Sequence, residues 1–415
     1  MKTWYIVVLS LSLPLFACNK KQDEKTSDSK PTETNLSKPT ESAKPALVEV
    51  NGVKPEDEKI ECNFNSCTVS VITQKVKDEI EKQSNYEQLT IIFREGTGNE
   101  FFKTVANLPW LRKLNISRTA IDTLAPLEKL LEIEEIRATS LKWEDDKDRT
   151  KRLDISALKG HSKLKKLDFY GTKISHWEVL ADATQLVELI LYMSEVENID
   201  FSRNLTQLEV FDLYACPVKN LTPLEGLTKL RNLNLYMSKA EDFSVLSKLT
   251  QLEEIWLQFT KFSDLNLLLG ATKMKRLYLS WLKGNLADIS PVKNFPELVI
   301  FSAADIPIDK IDSLSECKKL RDITVSGTKI KDIKALSGLT ELKMVNVAKT
   351  EIKDISPLAK AENLWSLDIS GTPVKSLSAL QKLTKLSSLT VSKGFPKGEI
   401  EKLKKNNPKL WVNER

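Results

Sequence analysis

The chain contains very little histidine, with two residues among 415, and glycine contributes only 13. It has no phosphate-binding loop, no dinucleotide-binding glycine pattern and neither the GxSxG nor the HExxH motif. Neither His161 nor His176 is placed to form a nucleophile–base pair, and His161 lies at a regularly spaced apolar position that favours a partly buried structural role. We therefore expect no enzymatic activity, no cofactor and no metal site.

The chain also lacks a large excess of either positive or negative charge. The 62 Lys and Arg residues nearly balance the 57 Asp and Glu residues, which leaves a net charge of +5. Both signs are interspersed along the chain, so the composition indicates a mixed, solvated surface. We expect no binding to nucleic acid.

The N-terminal apolar run is too short to cross a membrane as a helix. Trp4–Phe16 has 13 residues, whereas a spanning helix needs about 20. Its position behind Lys2 predicts a signal peptide that is removed after export. Residues 19–58 then contain mostly Lys, Glu, Ser, Thr and Pro, so we expect a disordered tether that spans roughly 35 Å.

Only five cysteines are present, and Cys62 and Cys67 lie close together ahead of the repeats described below. Export to an oxidising compartment favours a disulfide between these two residues. Metal binding is the alternative, but no histidine or second cysteine pair lies nearby in the sequence. Cys216 and Cys317 fall at regular repeat positions and are expected to be buried structural thiols.

What the chain does contain is leucine at a constant interval. Repeats start at Leu164, Leu186, Leu208, Leu230, Leu252, Met274, Leu298, Leu320, Leu342, Leu364 and Leu386. Each step is 22 residues except the 24-residue step after Met274, and apolar residues recur at positions 1, 4, 6, 11, 14, 17 and 20. A unit this short cannot bury its own apolar side chains, so the repeats must stack into a solenoid with one continuous core.

Two kinds of local structure alternate within each repeat. Positions 4 and 6 point inward and positions 3, 5 and 7 outward, which predicts short strands in a parallel sheet on the concave face. Position 9 is mostly Thr or Ser, whose hydroxyl group is expected to satisfy the backbone as it leaves the strand. On the convex face, Thr222, Ser290 and Ser356 precede prolines and predict the starts of short helices. The predicted fold class is an α/β solenoid.

This pattern resembles the leucine-rich repeats of the 22-residue class found in bacterial internalins and in a eukaryotic phosphatase regulator. The resemblance runs from near Tyr86 to Leu386 and implies a horseshoe or arc with irregular or helical convex turns. Those families usually have Asn where this chain has Thr or Ser at position 9. The resemblance transfers no binding residue, because binding positions in leucine-rich repeats differ between proteins.

The segment Leu15-Phe16-Ala17-Cys18 resembles the lipobox of bacterial lipoproteins. This resemblance implies cleavage before Cys18 and a thiol that carries lipid, with palmitate as an expected acyl chain. An ordinary secretory signal is the alternative. Asn19 is not the aspartate that often retains lipoproteins on the inner membrane, which favours the outer membrane or cell surface of a bacterial envelope.

The chain divides into five predicted parts. These are the signal peptide 1–17, the lipidated cysteine and tether 18–58, an N-terminal cap 59–85, the repeats 86–385, and a final repeat with C-terminal cap 386–415. The caps are expected to include a strand at 68–72, a helix at 74–83, a helix at 399–406 and a last strand at 408–412. Two insertions, at 144–152 and 283–285, are expected to form surface loops, either as solvated segments or as contacts to a ligand.

Aromatic residues concentrate on the outward positions of the middle repeats, between residues 164 and 281. Tyrosine occupies position 7 four times in succession, which predicts one row about 15 Å long. We expect this face to bind a partner, with an apolar centre and polar residues beside it. The predicted contact residues are Tyr170, Tyr192, Tyr214, Tyr236, Met193, Met237, Trp256, Phe259, Tyr278, Trp281, Asp168, Asp212 and Asn234.

The alternative is that the rings pack on one another and only stiffen the sheet. The functional hypothesis is therefore a monomeric, non-enzymatic protein that binds a protein or glycan ligand on its concave face and reaches the membrane through an N-terminal lipid. A structural or scaffolding envelope protein without a high-affinity ligand is the second hypothesis.

Overall fold

The computed structural model describes residues 47–142 and 150–415. The predicted signal peptide, Cys18, the tether up to residue 46 and residues 144–149 of the first insertion lie outside this part. No helix within the described residues is long and apolar enough to cross a membrane. Residues 47–415 cluster as one compact unit whose repeats share a continuous hydrophobic core.

A long sheet of 17 strands runs through this unit. Its strands follow one another in chain order and pair in parallel, except for the first pair, which is antiparallel. Two further strands, β6 (Leu153–Asp154) and β8 (Ile174–Ser175), form a separate parallel pair. The strands of the long sheet are β1 (Glu61–Cys62), β2 (Ser66–Val69), β3 (Thr90–Phe93), β4 (Lys113–Asn115), β5 (Glu135–Arg137), β7 (Lys166–Asp168), β9 (Glu188–Ile190), β10 (Val210–Asp212), β11 (Asn232–Asn234), β12 (Glu254–Trp256), β13 (Arg276–Tyr278), β14 (Ile300–Ser302), β15 (Asp322–Thr324), β16 (Met344–Asn346), β17 (Ser366–Asp368), β18 (Ser388–Val391) and β19 (Trp411–Glu414).

The strand register follows the sequence interval. Phe211 pairs with Leu233, and Leu233 pairs with Ile255, so neighbouring strands place the same repeat position side by side. Positions 4 and 6 are buried along the sheet, as Leu167 and Phe169 show. Apolar burial at these positions stabilises each strand, and truncating one such leucine to alanine typically costs about 2–5 kcal/mol.

Each strand ends in a backbone feature that the repeat pattern did not predict. Position 8 has a positive φ in almost every repeat, and most of these residues are not glycine. Position 9 then closes the turn as expected, since Thr260 Oγ1 donates to the Leu257 carbonyl at 2.6 Å and Thr328 Oγ1 to the Val325 carbonyl at 2.7 Å. Cys216 replaces the hydroxyl once and donates to the Leu191 carbonyl at 2.9 Å.

The convex side consists of single 3-10 turns rather than short α-helices. The polar residue that starts several of these turns lies two residues earlier than expected, because the side chain at position 13 accepts the backbone N–H of position 15. Asn220 Oδ1 accepts from Thr222 at 3.0 Å, and Asp354 Oδ1 accepts from Ser356 at 2.8 Å. The turns lie at Tyr86–Gln88, Lys103–Asn107, Ala125–Leu127, Ser156–Leu158, Trp177–Asp182, Asp200–Asn204, Thr222–Leu224, Ser244–Lys248, Leu265–Leu268, Ser290–Asn294, Asp312–Glu316, Lys334–Leu336, Ser356–Lys360 and Ser378–Leu380.

The N-terminal cap contains α1 (Gln74–Glu81), a short α2 (Asn99–Phe102) nearby, and a disulfide between Cys62 and Cys67. The folded unit begins earlier than the predicted tether boundary at residue 58. Residues 47–58 pack against the cap because the Asn107 side chain accepts from Val48 N at 2.7 Å and donates to Val48 O at 3.1 Å. The backbone of this segment therefore contacts the folded unit, although its composition suggested disorder.

The C-terminal cap contains α3 (Lys397–Asn406) followed by β19. The helix starts two residues before the predicted position, and the strand lies at Trp411–Glu414 rather than at 408–412. Ile400 and Leu403 are the buried residues of α3, and Val412 of β19 pairs with Leu389 of the preceding strand.

The second insertion packs closely on the repeat before it. Lys283 N donates to the Thr260 carbonyl at 2.7 Å, and Gly284 lies against the backbone of the preceding repeat. A Cβ atom at Gly284 would overlap the carbonyl oxygens of Phe262 and Lys261. The insertion forms a surface loop as expected, with Lys283 and Asn285 exposed, and Gly284 allows this loop to pack on the preceding repeat.

We expect Gly284→Ala to lower the free energy of unfolding by about 1–3 kcal/mol, because the methyl group must displace two backbone carbonyls. Urea unfolding followed by circular dichroism measures the change. Gly226→Ala is the matched control, since its nearest neighbour, the Arg203 carbonyl, lies 3.5 Å from the added carbon at ordinary contact distance. Equal stability of both variants would contradict this account.

Candidate functional site

The four tyrosines at position 7 form one stack across four strands. Ring centroids are 4.2 Å apart between Tyr170 and Tyr192, 4.0 Å between Tyr192 and Tyr214, and 4.2 Å between Tyr214 and Tyr236. Interplanar angles of 16°, 5° and 10° show that the rings lie nearly parallel. The common register of the strands places these rings at the strand spacing, which matches a stacking contact.

Two more rings extend this stack beyond the last tyrosine. Phe259 contacts Tyr236 edge-on with centroids 5.2 Å apart, and Trp281 stacks on Phe259 at 5.4 Å. Both residues come from position 8, so the row shifts sideways by one residue between the repeats at 230 and 252. We call these six residues, Tyr170, Tyr192, Tyr214, Tyr236, Phe259 and Trp281, the aromatic row. Beside it, Trp256 and Tyr278 form a second stacked pair at 5.2 Å.

Stacking covers most of the ring faces in the aromatic row. Tyr192, Tyr214 and Tyr236 are only partly exposed, and Tyr170 at the end of the stack is 44% exposed. The ring–ring contacts therefore agree with the hypothesis that the tyrosines stiffen the sheet. The side chains that project furthest into solvent are at position 8, where Met193 is 54% exposed and Met237 is 49% exposed.

Position 8 holds large side chains in a backbone conformation that does not favour them. Met193, Met237, Phe259 and Trp281 have φ values of 56°, 62°, 58° and 58°. The left-handed region costs a non-glycine residue roughly 1–2 kcal/mol, and glycine adopts it freely. Gly171 and Gly371 occupy the same position in other repeats, with φ of 64° and 70°. The fold thus accepts glycine here, yet four of the five repeats that start between 186 and 274 carry a large apolar residue, with Ala215 as the exception.

The polar residues at position 5 accept hydrogen bonds from the backbone of the tyrosines. Asp168 Oδ1 accepts the backbone N–H of Tyr170 at 3.1 Å, Asp212 that of Tyr214 at 2.8 Å, and Asn234 that of Tyr236 at 3.0 Å. We expected these three side chains to supply polar contacts to a ligand. In the structure, one oxygen of each is committed to the backbone under the row, and Asn234 is almost fully buried.

Asp212 is the most strongly perturbed acid of this face. Burial raises the pKa of its carboxyl group to about 6, and the nearby negative charge of Asp168 adds to the rise. The Tyr214 N–H and the Asn234 amide, which donates at 3.3 Å, partly offset it. Burial also raises the pKa of Tyr236 and of Tyr278 to about 12, so these phenols stay protonated donors at neutral pH.

A support at the far end of the row was not visible from the repeat pattern. The Trp281 indole N–H donates to Asp305 Oδ2 at 2.9 Å, which fixes the orientation of the ring. The Asp305 carboxylate occupies the space that a Cβ atom at position 327 would need, so any side chain at Gly327 would displace this carboxylate. In the sequence, this support corresponds to an acid at position 8 of one repeat and a glycine at position 8 of the next.

The two histidines lie away from this face. His161 is fully buried, and its Nε2 lies 3.1 Å from the Leu127 carbonyl oxygen. His176 Nδ1 lies 2.9 Å from Asp154 Oδ1 at the small pair of strands β6 and β8. Within residues 47–142 and 150–415, no three His, Cys, Asp or Glu side chains converge in an arrangement that could hold a metal ion.

Comparison with known proteins gives structural neighbours only. No protein-family description and no curated sequence matches the chain. An internalin from Listeria monocytogenes superposes with a TM-score of 0.66 at 23% identity, covering 75% of this chain and 92% of that one. A leucine-rich-repeat protein of Leptospira interrogans gives 0.67 at 16% identity, covering 83% and 93%.

The fold is that of a leucine-rich-repeat protein. The predicted fold class is thereby confirmed. The leucine-rich-repeat ectodomain of a membrane receptor kinase from Arabidopsis thaliana, solved in complex with Casparian strip integrity factor 2, also superposes, with a TM-score of 0.58 at 14% identity over 74% of this chain and 42% of that one.

Asp212→Asn should raise the free energy of unfolding at pH 7.5 by about 1–2 kcal/mol and have no such effect near pH 4. The folded pKa lies above the unfolded value of 3.8, so the folded state holds the proton more tightly. The penalty for ionising Asp212 is absent below the unfolded pKa and complete above about pH 6. Urea unfolding at both pH values measures the difference.

Asp368→Asn is the control for this prediction. Asp368 Oδ1 accepts the Ser370 N–H at 2.9 Å, which is the same contact in a repeat without tyrosines. A gain of equal size in both variants, or a gain at Asp212 that persists at pH 4, would show that burial of the Asp212 charge is not the cause.

Proposed function

We propose that the protein is a non-enzymatic binding protein of a bacterial cell envelope, and that it captures a protein ligand on the concave face of repeats 186–281. The single observation that carries this proposal is the set of large apolar side chains at position 8. They are strained, and those of Met193, Met237 and Trp281 are about half exposed. Strained backbone and exposed apolar area both tend to occur at functional sites.

A role in stabilising the sheet explains the presence of the tyrosines better than that of the methionines. The tyrosine rings contact one another and so contribute to the stability of the sheet. Met193 and Met237 face solvent, and glycine in their place would remove backbone strain. A scaffold without a ligand gains nothing from them, whereas a flexible thioether side chain adapts well to a partner surface.

The chemistry of the face fits a protein ligand. Methionine and tryptophan supply an apolar centre, and the hydroxyl edges of the tyrosines supply hydrogen-bond donors along one side. The Arabidopsis receptor kinase ectodomain, which has this fold and was solved with its bound factor, supports the proposal that the face binds a protein ligand. We propose that the protein acts as a monomer and needs no cofactor.

The predicted N-terminal processing completes the proposal. Cleavage before Cys18 and acylation of its thiol would anchor the folded unit to a membrane, with the outer membrane or cell surface favoured over the inner membrane. The residues up to Ala46 would then serve as the tether. The lipobox-like segment LFAC supports this part of the proposal.

The double substitution Met193→Gly and Met237→Gly tests the ligand-binding face. We expect the free energy of unfolding to stay the same or rise by up to about 1 kcal/mol, since glycine relieves the left-handed strain. We expect capture of the ligand to fall at least roughly tenfold, because apolar contact at the centre of the face is lost. The chain from Asn19 onward, immobilised and incubated with envelope and host-cell extracts, measures capture by quantitative mass spectrometry.

Leu269→Ser is the matched control, because Leu269 is 40% exposed on the convex side. It should capture the same proteins as the unsubstituted chain. If the double glycine variant also captures those proteins unchanged, the face has no ligand, and the scaffolding alternative is favoured.

Cys18→Ser should move the protein from the detergent phase to the aqueous phase in a Triton X-114 partition of cells that express the full chain. The loss of the acyl chains is the physical reason. Asn19→Ser leaves the thiol intact and should stay in the detergent phase. A Cys18→Ser protein that has lost residues 1–17, as mass spectrometry shows, and still partitions into detergent would disprove lipid anchoring at this residue.

A further inference from the structure

Positive charge is concentrated at the C-terminal end of the solenoid. Residues 364–415 contain ten Lys and Arg residues but only four Asp and Glu residues. This eighth of the chain therefore carries all of the net positive charge, and the remainder is close to neutral. The balanced overall composition had concealed this asymmetry.

Large apolar side chains are exposed in this region and in the repeat before it. Trp411 is 61% exposed, Trp365 is 44% exposed and Met344 is 38% exposed. All three lie at the amino-terminal ends of strands, since Trp365 precedes β17, Met344 begins β16 and Trp411 begins β19. They occupy positions 2 and 3 of the repeat and are distinct from the aromatic row, which lies at positions 7 and 8.

Backbone hydrogen bonds place the two tryptophans on either side of one residue. Ser387 N donates to the Trp365 carbonyl at 2.9 Å, and Trp411 N donates to the Ser387 carbonyl at 2.9 Å. Their indoles therefore emerge from the first and third of three adjacent strands. Neither ring stacks on another aromatic ring among the described residues.

Exposed lysines border these side chains. Lys343 directly precedes Met344, Lys409 lies two residues before Trp411, and Lys385 Nζ donates at 2.6 Å to the side chain of Asn363, two residues before Trp365. None of the three lysines has an ion-pair partner in the part of the chain that the structure describes. Three acids lie close by: Glu341 pairs with Arg321 at 3.9 Å, Glu414 accepts the Gly394 N–H at 3.3 Å, and Asp322 is the register partner of Met344. Elsewhere charges pair between repeats, as Arg231 does with Glu209 and Glu253.

We propose that these six residues, Met344, Trp365, Trp411, Lys343, Lys385 and Lys409, form a second interaction surface that docks on an anionic lipid bilayer. We call it the C-terminal patch. Tryptophan prefers the boundary between headgroups and acyl chains, and lysine side chains reach past it toward lipid phosphates. Each lysine near an anionic membrane strengthens attachment by about fivefold.

A membrane fits the C-terminal patch better than a soluble acidic protein. Its cations are lysines, which bind a diffuse charged surface as point charges, whereas the planar bidentate contacts of a carboxylate partner favour arginine. Its apolar groups also project outward. Two clefts of about 330 and 350 Å³ in the described chain lie at the N-terminal cap, away from the C-terminal patch.

Vesicle cosedimentation tests this inference without any contribution from the N-terminal lipid. The chain from Asn19 onward lacks Cys18 and keeps the whole compact unit of residues 47–415. We expect it to bind vesicles of phosphatidylcholine mixed with phosphatidylglycerol and to bind pure phosphatidylcholine only weakly. Binding should weaken as the salt concentration rises, since the attraction between lysines and lipid phosphates is screened.

Two sets of substitutions separate the apolar and charged contributions. Trp365→Ser with Trp411→Ser should lower the vesicle partition coefficient by about tenfold, and Lys343→Ser with Lys385→Ser and Lys409→Ser by roughly tenfold or more. The matched control replaces Lys219, Lys239 and Lys310, which are exposed lysines of other repeats, and should bind like the parent chain. Circular dichroism confirms that each variant is folded.

Three results would overturn the proposal. These are equal binding to vesicles with and without phosphatidylglycerol, an equal loss in the control triple variant, and full retention of binding by the tryptophan variant. Release of the protein from vesicles by soluble polyglutamate at low concentration would identify a soluble anionic partner instead. Ligand capture through Met193 and Met237 is measured in a separate experiment. A negative result for vesicle binding therefore does not contradict the proposed ligand-binding face, and a negative result for capture does not contradict the C-terminal patch.

Discussion

Each repeat depends on its neighbours for both backbone hydrogen bonding and burial. The Phe169 N–H donates to the Ile190 carbonyl one repeat later, and the Met193 N–H donates to the Tyr214 carbonyl in the same manner. Because no repeat is complete alone, strands can align only at matching positions. This one constraint gives the sheet its register and places the tyrosine rings within stacking distance.

Those parts of the molecule that follow from the repeat interval could be predicted from sequence. Leu233 and Leu235 are buried because apolar positions 4 and 6 face the core, and Thr260 closes its turn as its position indicates. The tyrosine row was visible because four tyrosines share one position. Proximity of Cys62 and Cys67, combined with the predicted export signal, was enough to predict their disulfide.

Other features depend on three-dimensional context that the interval does not contain. Position 8 adopts a left-handed backbone through bonds to the next repeat, and only a few glycines there hint at it. Residues 47–58 look like a tether by composition, yet Asn107, some fifty residues away, binds their backbone. Trp365 and Trp411 occupy different template positions, so no periodic pattern brought them together.

The regular stacking of the tyrosines also determines how this face can change in evolution. Repeats 186, 208 and 230 have the same length and register, and each contributes one ring at about 4 Å from the next. Duplication or deletion of a whole 22-residue unit would add or remove one ring without altering any core contact type. The length of the tyrosine stack therefore changes by one ring for each repeat unit that is gained or lost.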